Sequence, residues 1–228
     1  MKTHKQIFVE TLQTAVDLTI SKDGIIPLQG IGSPGHFAIV LGDNAQGKSL
    51  LTRWIKSVNS DAGMQPMALG MNTRAGDMTG IPLFRAMVYG NEQDQSTGEI
   101  SISSLKKMFS NAMDNENPCT ITLDEPEIGL SSRYHMAVGK FIGEQFNGRS
   151  EKLVGCVLTS HSATVVNSLI QTLDVEPFFI IFSDDMDAQD YLDKFLSGNL
   201  PDHSLEELME LPNKSRKKMR AINRYIGK

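Results

Sequence analysis

Eight consecutive residues, Gly42-Asp43-Asn44-Ala45-Gln46-Gly47-Lys48-Ser49, have the types and spacing to hold a phosphate. They fit the pattern G-x-x-x-x-G-K-[ST] at every fixed position. Glycines let backbone N–H groups come close to an anion, and the start of a following helix adds the positive end of its dipole. At this spacing Lys48 reaches the β- and γ-phosphates of a triphosphate, and the Ser49 hydroxyl is a ligand for Mg²⁺. With Leu50, these residues are the expected nucleotide-binding set. A second set is Ile121-Thr122-Leu123-Asp124-Glu125, an apolar run ending in two acids, with Asp124 75 residues beyond Ser49. An Asp at a strand end holds Mg²⁺ directly or through water, and the Glu after it orients or deprotonates an attacking water. The expected metal ligands are therefore Ser49 and Asp124. Lys48 and Glu125 are expected to be catalytic.

Both sets need rigid elements behind them. Phe37-Ala38-Ile39-Val40-Leu41 reads as a buried strand feeding the glycine loop, and residues 49–58 as the helix leaving it. Further apolar runs at 119–123, 153–158 and 178–182 read as strands, alternating with helical patterns at 103–113, 131–146 and 163–173. That alternation, with near-continuous apolar strands, points to an α/β fold: a mostly parallel sheet flanked by helices. Residues 67–71 read as a short strand, and the Gly- and Pro-rich stretch 24–35 as turns. The pattern of 6–18 fixes no type. Residues 1–228 are read as one domain, with 60–117 as a smaller lobe and 203–228 as a basic helical tail.

Composition narrows the class. The chain has 228 residues, 40% hydrophobic and 21% charged, as in ordinary globular proteins. No apolar run approaches the ~20 residues that span a bilayer, so no membrane insertion is expected. Cys119 and Cys156 both sit in apolar runs and read as buried free thiols, which suits a cytoplasmic location. The net charge of −5 is uneven: residues 214–228 carry seven positive charges and no acid, leaving −12 on the other 213 residues. An acidic body disfavours broad binding to nucleic acid, whereas the tail suits phosphates or an acidic partner. The later acids Asp184, Asp185, Asp187 and Asp190 lack the spaced partners of a metal site.

Asp124-Glu125-Pro126-Glu127-Ile128-Gly129-Leu130-Ser131 resembles the Walker B and D-loop of ABC-type P-loop ATPases, chiefly the non-transporter branch with the SMC-like, recombination-repair and OLD ATPases. Ser160-His161-Ser162 is similar to that family's switch histidine, and Ser96-Thr97-Gly98-Glu99 to its signature loop, S-x-G-[EQ]. Gly98 stands 26 residues before Asp124, and His161 stands 36 after Glu125. The resemblance implies ATP and Mg²⁺ as ligands and a head-to-tail homodimer enclosing two ATP molecules. Ser96 and the Gly98 N–H would contact the partner's γ-phosphate in trans, with Glu99 completing the trans signature, and the catalytic His161 would contact the γ-phosphate and sense hydrolysis. The sequence departs from the family at several points. Asp94-Gln95 replaces a leucine before the signature, Asn72 stands where a Q-loop glutamine is expected, and no long coiled-coil insertion is present. Asn72 then becomes a candidate to complete the Mg²⁺ sphere, and Phe8 a candidate adenine-stacking ring.

Three function classes follow. The first is a stand-alone ATPase that drives or gates an effector protein in DNA repair, phage defence or phage biology, with nucleic acid possible at the tail. The second is the nucleotide-binding subunit of an ABC transporter, for which the Q-loop and signature are weak. The third is a nucleotide switch without turnover, which Glu125 opposes.

Overall fold

The computed structural model describes residues 2–20, 28–44, 46–70, 97–183, 186–207 and 209–210. Asn72, Ala45, Ser96, Asp184, Asp185 and the basic stretch 214–228 lie outside them.

The elements run α1 (His4–Ile20), β1 (Leu28–Ile31), β2 (Phe37–Gly42), α2 (Lys48–Asp61), β3 (Gln65–Leu69), α3 (Thr97–Met113), β4 (Cys119–Asp124), a 3-10 turn (Ser132–Tyr134), α4 (His135–Asn147), β5 (Leu153–Thr159), α5 (Ala163–Thr172), β6 (Phe178–Phe182) and α6 (Ala188–Ser197). One six-stranded sheet has the order β1-β6-β2-β5-β4-β3. Only β1 is antiparallel, pairing Leu28 with Phe182. All other neighbours are parallel. The fold is therefore α/β with a mostly parallel sheet covered on both faces, as expected from its strands.

The two faces read directly from period-2 alternation. On β2, Phe37, Ile39 and Leu41 enter one core with Ile121, Leu123, Cys156, Leu158 and side chains of α3 to α6. Ala38 and Val40 enter the other, with Val154, Val157, Ile180 and side chains of α1 and α2. Both cysteines are buried and free, and burial pushes both thiols up.

The structure gives a type to 6–18, which the pattern left open, and differs from the sequence reading of 24–35. Residues 6–18 lie in α1, whose start is a reciprocal cap. Gln6 N–H donates to Thr3 Oγ1 at 3.2 Å, and Thr3 N–H donates to Gln6 Oε1 at 2.9 Å. Phe8, Leu12, Ala15 and Val16 form its buried stripe. Part of 24–35 is the strand β1, in which Gly30 leaves room for the Phe178 ring: a Cβ there would stand 2.9 Å from it. The expected helix 131–146 begins as a single 3-10 turn before α4. Within 60–117, β3 is a strand of the main sheet, and α3 supplies Leu105, Met108, Phe109 and Ala112 to its core. Residues 71–96 lie outside the described set.

Phe8 does not face a ligand. It is fully buried, and its ring lies where a Cβ on Gly155 would be, 2.2 Å from the ring edge. The adenine-stacking expectation is thus overturned: α1 seats this ring on the glycine of β5. Phe8→Ala should therefore cost about 3–5 kcal/mol of stability. Chemical denaturation checks this, and the folded fraction should retain wild-type affinity for nucleotide.

Candidate functional site

β5 lies between β2 and β4, and Thr159 at its end is level with Val40 on one side and Asp124 on the other. Parallel pairing thus brings the carboxyl ends of three strands to one edge: the glycine loop after β2, the acids after β4 and residues 160–162 after β5. In open α/β sheets that edge is where ligands bind.

The loop is tight for stated reasons. Gly42 has φ 148°, and a Cβ there would meet Gln46 Oε1 and the Phe182 side chain at 2.6 Å. Gln46 Oε1 accepts from Asp43 N–H at 2.7 Å. Gly47, with φ 112°, is the N-cap of α2. Helix geometry leaves the N–H groups of Lys48 and Ser49 without intrahelical acceptors, whereas Leu50 N–H donates to Gly47 O at 3.0 Å. Asn44 and Ser49 are exposed at this helix start, and Leu50 is partly buried behind them.

Lys48 is folded back into the loop. Its side chain is buried, and Nζ donates to Gly42 O at 2.7 Å and to Asp43 O at 2.8 Å. Burial lowers its pKa to about 8, against the opposing pull of Glu125, Asp43 and Asp124. Desolvation outweighs three nearby carboxylates, so the ammonium is under-compensated. It is a ready partner for an anion that enters the loop.

On the other side, Thr159 Oγ1 donates to Asp124 Oδ1 at 2.5 Å, fixing that carboxylate at the end of β4. Glu125 is the only non-glycine residue with positive φ (51°) among the described residues. Its N–H donates to Thr159 O at 3.0 Å and reaches Thr159 Oγ1 at 3.2 Å, which anchors the left-handed backbone. Such a conformation costs of order 1–3 kcal/mol and concentrates at functional sites. It turns the Glu125 side chain toward His161, whose Nε2 lies 3.1 Å from Glu125 Oε1. The structure thus brings Lys48, Asp124, Glu125 and His161 to one edge of the sheet.

Gly98 and Glu99 lie in the first turn of α3. A side chain on Gly98 would meet Leu130 at 3.1 Å, and Ser101 Oγ donates to Ile128 O at 3.3 Å. This helix start is therefore seated on the segment that follows Glu125. Gln65 is at the opposite end of β3, where its Oε1 accepts from Asn115.

No family model matches the chain, and no curated protein matches it. Among solved structures it is similar to the Aeropyrum pernix ORC1 protein in complex with DNA. The two share 16% identity at a TM-score of 0.37, over 86% of this chain and 48% of that one. The chain thus spans about half the length of that relative.

Beside the His161 imidazole, the donors present are hard oxygens and an ammonium, with no thiolate, a set suited to a polyphosphate and Mg²⁺ rather than to a soft metal. Among the described residues no group of three or more His, Cys, Asp or Glu forms a metal cluster of its own. Asp187 caps α6 through Gln189 N–H, and Asp190 pairs with Lys194.

Three residues at this edge escaped sequence reasoning. Thr159 stands just past the apolar run 153–158 and had no assigned role. Glu127 was visible in the motif but had no assigned task. His203 lies with Nε2 3.6 Å from Asp43 Oδ2, a contact across 160 positions that no local pattern signals.

The lowered pKa of Lys48 has a stability consequence with a definite sign. Below about pH 8 the lysine is protonated in both folded and unfolded chains, and the burial penalty is fully present. Between about 8 and the ordinary 10.5 the folded protein loses the proton first, so stability rises with pH. From about pH 7 to about pH 9.5, wild type should gain about 1–2 kcal/mol relative to Lys48→Met. Denaturant unfolding of both proteins at the two pH values checks it.

Proposed function

We propose that this chain is an ABC-type P-loop ATPase of the non-transporter branch, binding ATP with Mg²⁺ and hydrolysing the γ-phosphate. The observation that carries the reading is the single edge at which a buried ammonium in a glycine loop faces Asp124 and a Glu125–His161 pair. The roles follow from that geometry. Loop amides and the start of α2 cradle the phosphates, and Lys48 exchanges its two carbonyl partners for phosphate oxygens. Ser49 and Asp124 would hold Mg²⁺, which supplies charge neutralisation on the phosphates. Glu125 orients the attacking water and takes its proton. His161 holds the Glu125 carboxylate in place, and its Nε2 would contact the γ-phosphate.

In the same reading two copies meet head to tail, and Ser96, Gly98 and Glu99 of each close over the nucleotide of the other. The seating of Gly98 on Leu130 supports this, because it puts the start of α3 on the segment next to the acids. The dimer would drive or gate an effector in DNA repair, phage defence or phage biology. The basic residues 214–228 would contact that partner or nucleic acid.

Glu125→Gln keeps the shape of the side chain and removes the base. Turnover should fall at least ~100-fold. ATP should still bind, and a dimer should accumulate, read as a doubling of mass by light scattering. Unchanged turnover would overturn the assignment of Glu125, and a monomer in saturating ATP would overturn the dimer. Truncation after Pro212 should leave turnover intact and weaken binding to single-stranded DNA or an acidic protein, with a shallower salt dependence. Equal binding by the truncated chain would remove the tail from the interface.

A further inference from the structure

We infer that Glu127 is a positioning residue for the reaction: its buried carboxylate fastens the His161 segment to the Glu125 segment and so sets the distance between those two side chains. The inference rests on the ATPase reading above and adds a residue to it.

Glu127 is 7% exposed, although it sits in a turn between a strand end and a 3-10 helix. A carboxylate in that position is costly unless it is hydrogen-bonded. Both of its hydrogen bonds go to one place. Oε1 accepts from Ser160 Oγ at 2.7 Å and from the His161 backbone N–H at 3.0 Å. These partners are 33 and 34 positions away in sequence. Oε2 is buried without a hydrogen-bond partner. A group kept for stability alone would satisfy both oxygens or be replaced by an apolar side chain of similar volume. Here one oxygen is left unsatisfied while the other grips the residue whose imidazole meets Glu125.

The surrounding bonds show that the grip is specific. Ser160 Oγ, while donating to Glu127, also accepts from Ser162 N–H at 3.0 Å. Ser162 Oγ accepts from Val165 N–H at 3.3 Å and lies 2.8 Å from His135 Nδ1. On the Glu127 side, Leu130 N–H donates to Glu127 O at 3.0 Å and Ile128 N–H to Glu125 O at 3.1 Å. Residues 125–130 and 160–165 are each internally hydrogen-bonded turns. Beside the Glu125–His161 contact, the Glu127 side chain joins them beyond the end of the sheet ladder. Among the described residues its carboxylate partners are Ser160 and His161, not Lys48 or the glycine loop. Loss of Glu127 therefore frees His161 relative to Glu125 without disturbing phosphate binding.

The test is ATPase kinetics on Glu127→Ala, Glu127→Gln and Ser160→Ala, with His161→Ala, Glu127→Ala/His161→Ala and Glu125→Gln beside them. Glu127→Ala should lower kcat roughly 10–100-fold, the scale set by loss of alignment, with KM for ATP within about twofold of wild type. Glu127→Gln retains an acceptor for both donors and should restore most of kcat. Ser160→Ala removes one of the two bonds and should fall between. The double variant should turn over no more slowly than His161→Ala alone, because both remove one function. Additive losses in the double variant, a rise in KM instead of a fall in kcat, or no rescue by Gln would overturn the inference. If Glu127→Ala does not fold, Gln and Ser160→Ala decide the matter. Wild type and Glu125→Gln separate the levels: if wild type shows no turnover, the ATPase reading fails; if Glu125→Gln retains full turnover, the assignment of Glu125 fails; and if it is inactive while Glu127→Ala behaves as wild type, only the role of Glu127 fails.

Discussion

The pairing of β5 between β2 and β4 is the constraint on which the rest depends. A glycine loop without neighbours is a flexible turn, and an acid at a strand end is an ordinary solvated side chain. Inserting β5 between their two strands fixes both against a third strand, with Thr159 level with Val40 and Asp124. The hydroxyl of that threonine then holds Asp124, and its carbonyl holds the Glu125 N–H. One residue thus converts sheet register into side-chain geometry. The two cores serve the same end, since the alternation of Phe37, Ile39 and Leu41 with Ala38 and Val40 leaves β2 no freedom to slip by one residue.

The site is assembled from groups that are individually unfavourable. Lys48 is a buried cation whose partners are neutral carbonyls. Glu127 is a buried anion with one oxygen unpartnered. Glu125 holds a left-handed backbone that its side chain disfavours. The sheet and its two layers of helices supply enough burial to keep all three in place. Such local conflicts mark the places where a protein gives up stability for a task.

The parts of the fold that were legible in sequence are those with a strong local signature. The loop 42–49 declares itself through two glycines and Lys48-Ser49, and the strands through runs such as Phe178-Phe179-Ile180-Ile181-Phe182. Illegible parts depend on contacts far along the chain. β1 hid in a glycine-rich stretch because Gly30 is there to admit Phe178, a reason that lies 148 positions away. Phe8 looked available because its partner, Gly155, is an absence of side chain. In α1 the signal was present but weak: Thr3 and Gln6 at capping spacing, then Phe8, Leu12, Ala15 and Val16 on one stripe. The role of Glu127 could be read only once Ser160 and His161 were seen beside it.

The positive φ of Glu125 bears on how such a chain drifts over generations. Glycine at this position would relax the backbone and remove a penalty of order 1 kcal/mol. Selection for thermal robustness alone would thus favour the loss of the carboxylate. A lineage that no longer needed chemistry here would be expected to lose this acid early and emerge hardier for it.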